Sequence, residues 1–268
     1  MNWNEVPIIL DDVSLHDGLD PIVESISLEF KPSAVTVLMG GSGSGKSTLL
    51  KIAAGLTPIS SGQVLYGEKS LYKLNQKEYA RMQQHTGFMF QDGALWANMN
   101  IQQNLTLPLV ISDPSSAALD VERKVRDSLI EFNMISEMNS RPATLSAGER
   151  KIISYLRAVI SNPDILFFDE PTSFIDRKGA LQLIKALFKF KKEGKTILVV
   201  THDLTLAKSL GDYIVFMNDR KVELYDSIDA CMKSENVNWL NFIEDRSTDQ
   251  KESVDLNTET HHSLVQEE

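Results

Sequence analysis

Cysteine is nearly missing from these 268 residues. The single Cys231 excludes an internal disulfide and any cysteine-rich metal site, and it fits a reducing compartment. Long apolar runs are missing too: none approaches the ~20 residues that a bilayer-spanning helix needs. The first residues, "MNWNEVPIILDD", lack the charged-then-apolar order of a signal peptide. If the protein works at a membrane, it is recruited there. Basic charge is in deficit, with 27 Lys and Arg against 37 Asp and Glu and a net charge of −10. That balance argues against binding nucleic acid by general electrostatic attraction, and no nucleic-acid partner is expected.

What is present is 42% hydrophobic residues, enough to fill the core of one large domain or two small ones. Apolar, β-branched runs recur at "SISLEF", "AVTVLMG", "TGFMF", "DILFFDE", "TILVVTHD" and "YIVFMN", with helical patterns between several of them. Such alternation predicts an α/β domain around a mainly parallel, buried sheet. Between about residues 92 and 144 the pattern turns helical, as in "SAALDVERKVRDSLIEFNMI", and predicts an inserted helical subdomain. The segment 243–268 is polar and poor in aromatics, and residues 244–268 alone carry a net charge of −6. It is expected to be a disordered acidic tail, and His261 and His262 within it are read as solvated.

Gly40, Gly41, Ser42, Gly43, Ser44, Gly45, Lys46, Ser47 and Thr48 satisfy G-x-x-x-x-G-K-[ST] after an apolar run and before the helix-like "STLLKIAAGL". The glycines let successive N–H groups point at phosphate oxygens, and the following helix adds its positive end to the same spot. Lys46 is expected at the β- and γ-phosphates and the Ser47 hydroxyl at a Mg²⁺. A phosphate loop needs a metal-holding acid at a neighbouring strand end, and "DILFFDE" offers Asp169 for the metal and Glu170 to deprotonate a water. "TILVVTHD" ends a further strand and delivers His202 to the edge where parallel sheets collect ligands.

The order "GGSGSGKST", "FQ", "LSAGE", "LFFDEPTSFID", "THD" resembles the ATPase subunit of ABC transporters from about Ile8 to Phe242. The resemblance implies a P-loop NTPase core with a mainly parallel sheet, an antiparallel β subdomain and the inserted helical subdomain, together spanning residues 1–242. It implies ATP and Mg²⁺ as ligands, with Ser47, Gln91 and Asp169 about the metal and Glu170, His202 and Gln91 as the catalytic set. "LSAGE" matches a signature that presents Ser146 and Gly148 to ATP held by a second copy, and Asp176 matches a D-loop residue that reaches that copy. His202 matches a switch histidine on the γ-phosphate.

Four departures stand out. Ala147 replaces a signature glycine, Glu149 a glutamine, and Phe174 a small D-loop residue; the adenine-stacking aromatic has no counterpart in "SLHDG", where His16 is the nearest flat ring and Asp17 fills the slot. The run "GFMFQDGALWANMNIQQNLTLPL" looks like the glutamine-loop region of ATPases that drive Mce-type, Mla-like lipid-trafficking systems. That likeness implies two membrane permease subunits docked at Leu95, Trp96 and Met99, Mce-type substrate-binding proteins, a small cytoplasmic accessory subunit, and work at the cytoplasmic face of the inner membrane. "AGER" also resembles ATPases of lipoprotein release or efflux, and the four departures leave a low-turnover nucleotide-gated scaffold as a further reading.

Overall fold

Every apolar run quoted above becomes a strand, and five of them lie in one sheet. The computed structural model describes residues 3–245. Its larger sheet has six strands in the order β10-β9-β3-β8-β7-β6. These are β3 (Val35–Gly40), β6 (Thr86–Met89), β7 (Ile165–Asp169), β8 (Thr196–Val200), β9 (Tyr213–Asn218) and β10 (Lys221–Ser227). All pair in parallel except β9 with β10. The "SISLEF" run belongs instead to β2 (Asp20–Phe30), in an antiparallel sheet ordered β2-β1-β4-β5 with β1 (Ile8–Asp17), β4 (Ser61–Tyr66) and β5 (Lys69–Ser70).

The central strands are buried on both faces, and alternation along each splits its side chains between two cores. Val35, Val37 and Met39 of β3, Leu166 and Phe168 of β7, and Ile197 and Val199 of β8 join the core under the helices. Leu38, Ile165, Phe167, Leu198 and Val200 point the other way, toward helix α1 (Lys46–Ala53) and the antiparallel sheet.

Helix α2 (Gln76–Gln84) starts on an Asn75–Glu78 capping box. Helices α3 (Ile101–Ser112) and α4 (Ala118–Glu131) fill the inserted region, and α5 (Ala147–Val159) packs across β6. Helices α6 (Arg177–Lys192), α7 (Leu204–Leu210) and α8 (Ile228–Met232) follow. A last helix covers 237–245. Its Trp239 is fully buried, donates Nε1 to the Cys231 carbonyl at 2.7 Å and stacks on Phe242, whose ring meets Phe216. The boundary expected after Phe242 therefore falls inside a helix: Ile243 still packs on the core, because the aromatic pair anchors this turn. The remainder of the expected tail lies outside the described residues.

Candidate active site

The phosphate loop leaves β3 at Gly40, whose φ of 146° belongs to glycine; a Cβ there would lie 2.1 Å from the Met217 carbonyl oxygen. Gly45 turns the chain into α1 with φ 97°, and no side chain caps that helix. Ser146, Asp176 and Asp203, by contrast, cap α5, α6 and α7 with their own oxygens. With no side-chain cap in the way, the positive end of α1 suits an anion from outside the helix. Lys46 is buried, and its Nζ donates to the Gly41 carbonyl at 2.6 Å and to Ser44 Oγ at 3.3 Å. Its charge is thereby held against the loop that would cradle a phosphate.

Sheet order brings the rest of the site to the same edge, since β8 lies between β3 and β7 and every one of these strands ends at the loop. Ser47 Oγ donates to Asp169 Oδ1 at 2.8 Å. Glu170 follows in a left-handed conformation, φ 50°, with its N–H bonded to the Val200 carbonyl at 3.0 Å. That unusual turn, of the kind found at functional sites, sets Glu170 Oε1 3.0 Å from His202 Nε2.

The two adjacent acids share a desolvated pocket. Burial raises the Asp169 carboxyl above its ordinary range, opposed by the Ser47 hydrogen bond. Burial, then the neighbouring Asp169, pushes Glu170 up to about 7, against the pull of Lys46 and Lys151. A hydroxyl, two hard carboxylates and phosphate oxygens are the donor set Mg²⁺ takes, and a cation would relieve this crowding of acids. The residues fit the ion.

A folded-state value near 7 against an ordinary 4.5 means that the native state binds the Glu170 proton more tightly than the unfolded chain does. Stability is therefore lost as pH rises from about 4.5 through about 7, on the order of 3 kcal/mol from this group. Melting of the nucleotide-free protein at pH 5 and pH 8 should show a larger fall for wild type than for Glu170→Gln. Parallel melting curves would contradict the buried, proton-binding glutamate.

The signature residues sit elsewhere. Ser146, Ala147, Gly148 and Glu149 line a cleft with Ile152, Phe174, Ile175 and Asp176, and the lining among the described residues contains none of the phosphate loop. Ser146 and Glu149 form a capping box: Glu149 N donates to Ser146 Oγ at 3.2 Å and Ser146 N to Glu149 Oε2 at 2.8 Å. Those bonds hold the Glu149 carboxyl below its ordinary range, the backbone bond contributing most. Glutamine fills this third helical position equally well, which accounts for the exchange. Ala147 opens α5 with helical backbone, so the positive-φ glycine that its replacement would have disrupted is not required here. Gly148 is required by space, because a Cβ would come 2.9 Å from the Phe174 carbonyl oxygen. Phe174 itself is 75% exposed and left-handed at φ 63°, an outlying backbone for a bulky side chain. Asp176 spends Oδ1 on the Gly179 N–H at 2.8 Å, capping α6.

Beyond β6 the chain passes Gln91, whose side chain is exposed, and wraps around a buried Asn104. Asn104 accepts from Trp96 N at 2.9 Å and donates to the carbonyls of Trp96, Met99 and Asn100. The loop so fixed turns neighbours in opposite directions, which corrects the expectation that Leu95, Trp96 and Met99 form one surface. Trp96 is 55% exposed, Leu95 packs inward on the core, and Met99 is half-buried. Trp96 instead borders a groove of about 320 Å³ lined by Phe88, Phe90, Leu107, Pro108 and Ile111, together with the polar Gln83, Gln84 and Arg157. Asn104 opens the "NLTLPL" run of the sequence, but its place as the hydrogen-bonding hub of this loop depends on the folded chain.

A glycine-rich loop between strand and helix, facing paired acids at the end of the next strand but one in the sheet, defines a P-loop nucleoside triphosphatase. Comparison narrows the class. A family model described as ABC transporter matches residues 23–173. The methionine import ATP-binding protein MetN of Clostridium tetani is 32% identical over 222 residues, covering 82% of this chain and 69% of that one. The uncharacterized ABC transporter ATP-binding protein YbbA of Escherichia coli is 36% identical over 188 residues, covering 69% and 82%. Among solved structures, the ATP-binding cassette MJ0796, a dimer in a post-hydrolysis state bound to ADP and Pi, matches with a TM-score of 0.76 at 27% identity, over 82% of this chain and 98% of that one. The chain belongs to the ABC transporter family. It is an ATP-binding subunit that works with Mg²⁺ and hydrolyses ATP to ADP and phosphate.

Proposed function

We propose that two copies of the chain close head to tail on two ATP molecules and drive two membrane permease subunits that move phospholipid or another lipid. The observation that carries the two-copy reading is the separation of the signature cleft from the phosphate loop. In this reading Ser146, Gly148 and Asp176 complete a site only when presented by a second copy; that the relative MJ0796 is a dimer bound to ADP and Pi supports it.

In this reading the α1 N–H groups and Lys46 bind the phosphates, while Ser47, Asp169 and Gln91 hold Mg²⁺. Bound Mg²⁺ neutralises charge developing on the transferred phosphoryl group. Glu170 accepts the proton of the attacking water, and its raised affinity for a proton near neutral pH suits a general base. His202, 3.0 Å from Glu170, orients that carboxylate and faces the γ-phosphate.

The groove beside Trp96 supports the permease contact. It has an apolar floor with Arg157, Gln83 and Gln84 on its rim, lies between the sheet edge at Phe88 and helix α3, and begins where the glutamine loop ends, so an inserted helix there would feel that loop move. The lipid assignment is supported by the "FQDGALW" run and the "NLTLPL" that follows, with Mce-type proteins and a small accessory subunit as further partners at the cytoplasmic membrane face. Among the described residues no helix is long and apolar enough to cross a membrane.

Trp96→Glu should leave the isolated subunit folded, since the ring is half exposed, and should release it from the permeases, because a charge in that groove cannot be desolvated cheaply. Melting of the subunit and co-purification with its membrane partners check this; loss of folding would return Trp96 to a packing role. Phospholipid in the wild-type complex, read by mass spectrometry, tests the cargo, and a lipid-free complex with no transfer between vesicles would remove it.

A further inference from the structure

Lys151 lies on the signature helix α5 and is 2% exposed, and beyond its pull on Glu170 it has been given no role above. Its ammonium donates to the Gln91 carbonyl at 2.7 Å and to the Asp169 carbonyl at 3.3 Å. The Asp169 carbonyl ends β7, and the Gln91 carbonyl lies in the loop two residues past the end of the adjacent parallel strand β6. Further along the helix, Arg157 donates to the carbonyls of Ala94 at 2.8 Å and Gly93 at 3.4 Å. Helix α5 therefore holds the glutamine loop at two points and the strand end that bears Asp169 and Glu170 at one. The N-terminal end of the same helix, about one turn before Lys151, is the Ser146–Glu149 mouth.

Packing alone does not call for a lysine here. Residues 151–156 are all buried, and an apolar side chain of similar length would fill the space without the cost of desolvating an ammonium. Burial holds the ammonium's pKa below its ordinary value, and Asp169, Glu170 and Asp92 offset that cost only in part. What the lysine adds over an apolar residue is directional: two carbonyls on two strands are tied to one helix.

We propose that Lys151 is a positioning residue that couples the partner-facing end of α5 to the chain's own glutamine loop and catalytic strand end, so that the two ATP sites respond together. The inference rests on the two-copy reading. When a partner's ATP draws Ser146 and Gly148 toward it, α5 moves as a body, and Lys151 carries that shift to Gln91 and Asp169 in the same chain. Contact with the nucleotide is not part of this role.

The test compares the full chain with Lys151→Met, which keeps length and loses the charge and donors, and with Lys151→Arg, which keeps both. ATPase rate is measured against ATP concentration, with calorimetric ATP affinity and melting temperature for each. In the methionine variant ATP affinity stays near wild type, the Hill coefficient falls from about 2 toward 1, and kcat falls about 10- to 100-fold. Arginine restores cooperativity. Should the methionine variant fail to fold, Lys151→Gln, which keeps one donor group without charge, carries the test with the same expected losses. Wild-type cooperativity and turnover in the charge-free variants would overturn the proposal, and so would equal losses in the arginine variant accompanied by lowered melting temperatures. A wild type with a Hill coefficient of 1 would remove the two-copy reading and this inference with it; a loss confined to the charge-free variants supports the coupling role and leaves that reading standing.

Discussion

Glu170→Gln lowers ATP turnover by about 10²- to 10⁴-fold while MgATP still binds. The amide has the shape of the carboxylate, so the left-handed turn at 170 and the bond from its N–H to Val200 persist. It cannot take a proton from water. Removing the charge also relieves the crowding with Asp169, so the nucleotide-free variant is expected to be the more stable form above pH 7. Phosphate release by the purified protein, beside calorimetric MgATP binding, checks the split between turnover and affinity. Turnover within a fewfold of wild type would move the general base elsewhere.

Lys46→Ala should cost nucleotide affinity about 10- to 100-fold or more. A charge-assisted hydrogen bond contributes roughly 1.5–3 kcal/mol, and alanine removes the charge together with its donors. The effect has a second source in this protein. Lys46 Nζ bonds the Gly41 carbonyl and Ser44 Oγ, so it also braces the loop whose N–H groups do the remaining binding. Calorimetry showing wild-type ATP affinity would contradict the phosphate-loop assignment.

The phosphate loop and its acids could be read from the chain because their chemistry is local. Gly40, Gly45 and Lys46 are fixed by the turn between one strand and one helix, and Asp169 and Glu170 by the end of another. The six-stranded sheet was legible for a related reason: strands buried on both faces read as unbroken apolar runs. Strand β1 was harder to see. Its "IILDDVSLHD" carries a left-handed Asp12 and register shifts between Leu10 and Val13 and between Val13 and Leu15, so the period-2 alternation is broken. Its partner β4 owes its place to Gly62, where a Cβ would lie 2.2 Å from the Asp12 carbonyl oxygen, a constraint that exists only once the sheet has formed.

Residues that act through tertiary contacts left weaker traces. Leu95 and Trp96 are neighbours of similar character, and only the hydrogen bonds of Asn104 decide that one faces the core and the other the groove. Lys151 did leave a signal, a charge inside the buried stretch of α5, but its partners, just past β6 and at the end of β7, lie 60 and 18 residues away. Glu149 looked like an intruder at the signature and proved to be the far half of a capping box.

The central claim is that the ATP site of one copy is completed by Ser146 and Gly148 of another, and sedimentation of Glu170→Gln with and without MgATP tests it most directly. Blocking hydrolysis traps the closed state, so the variant should sediment as a monomer alone and as a dimer with MgATP, and adding Ser146→Arg to it, which fills the cleft mouth, should abolish the dimer. A Glu170→Gln protein that stays monomeric at saturating MgATP would contradict the claim.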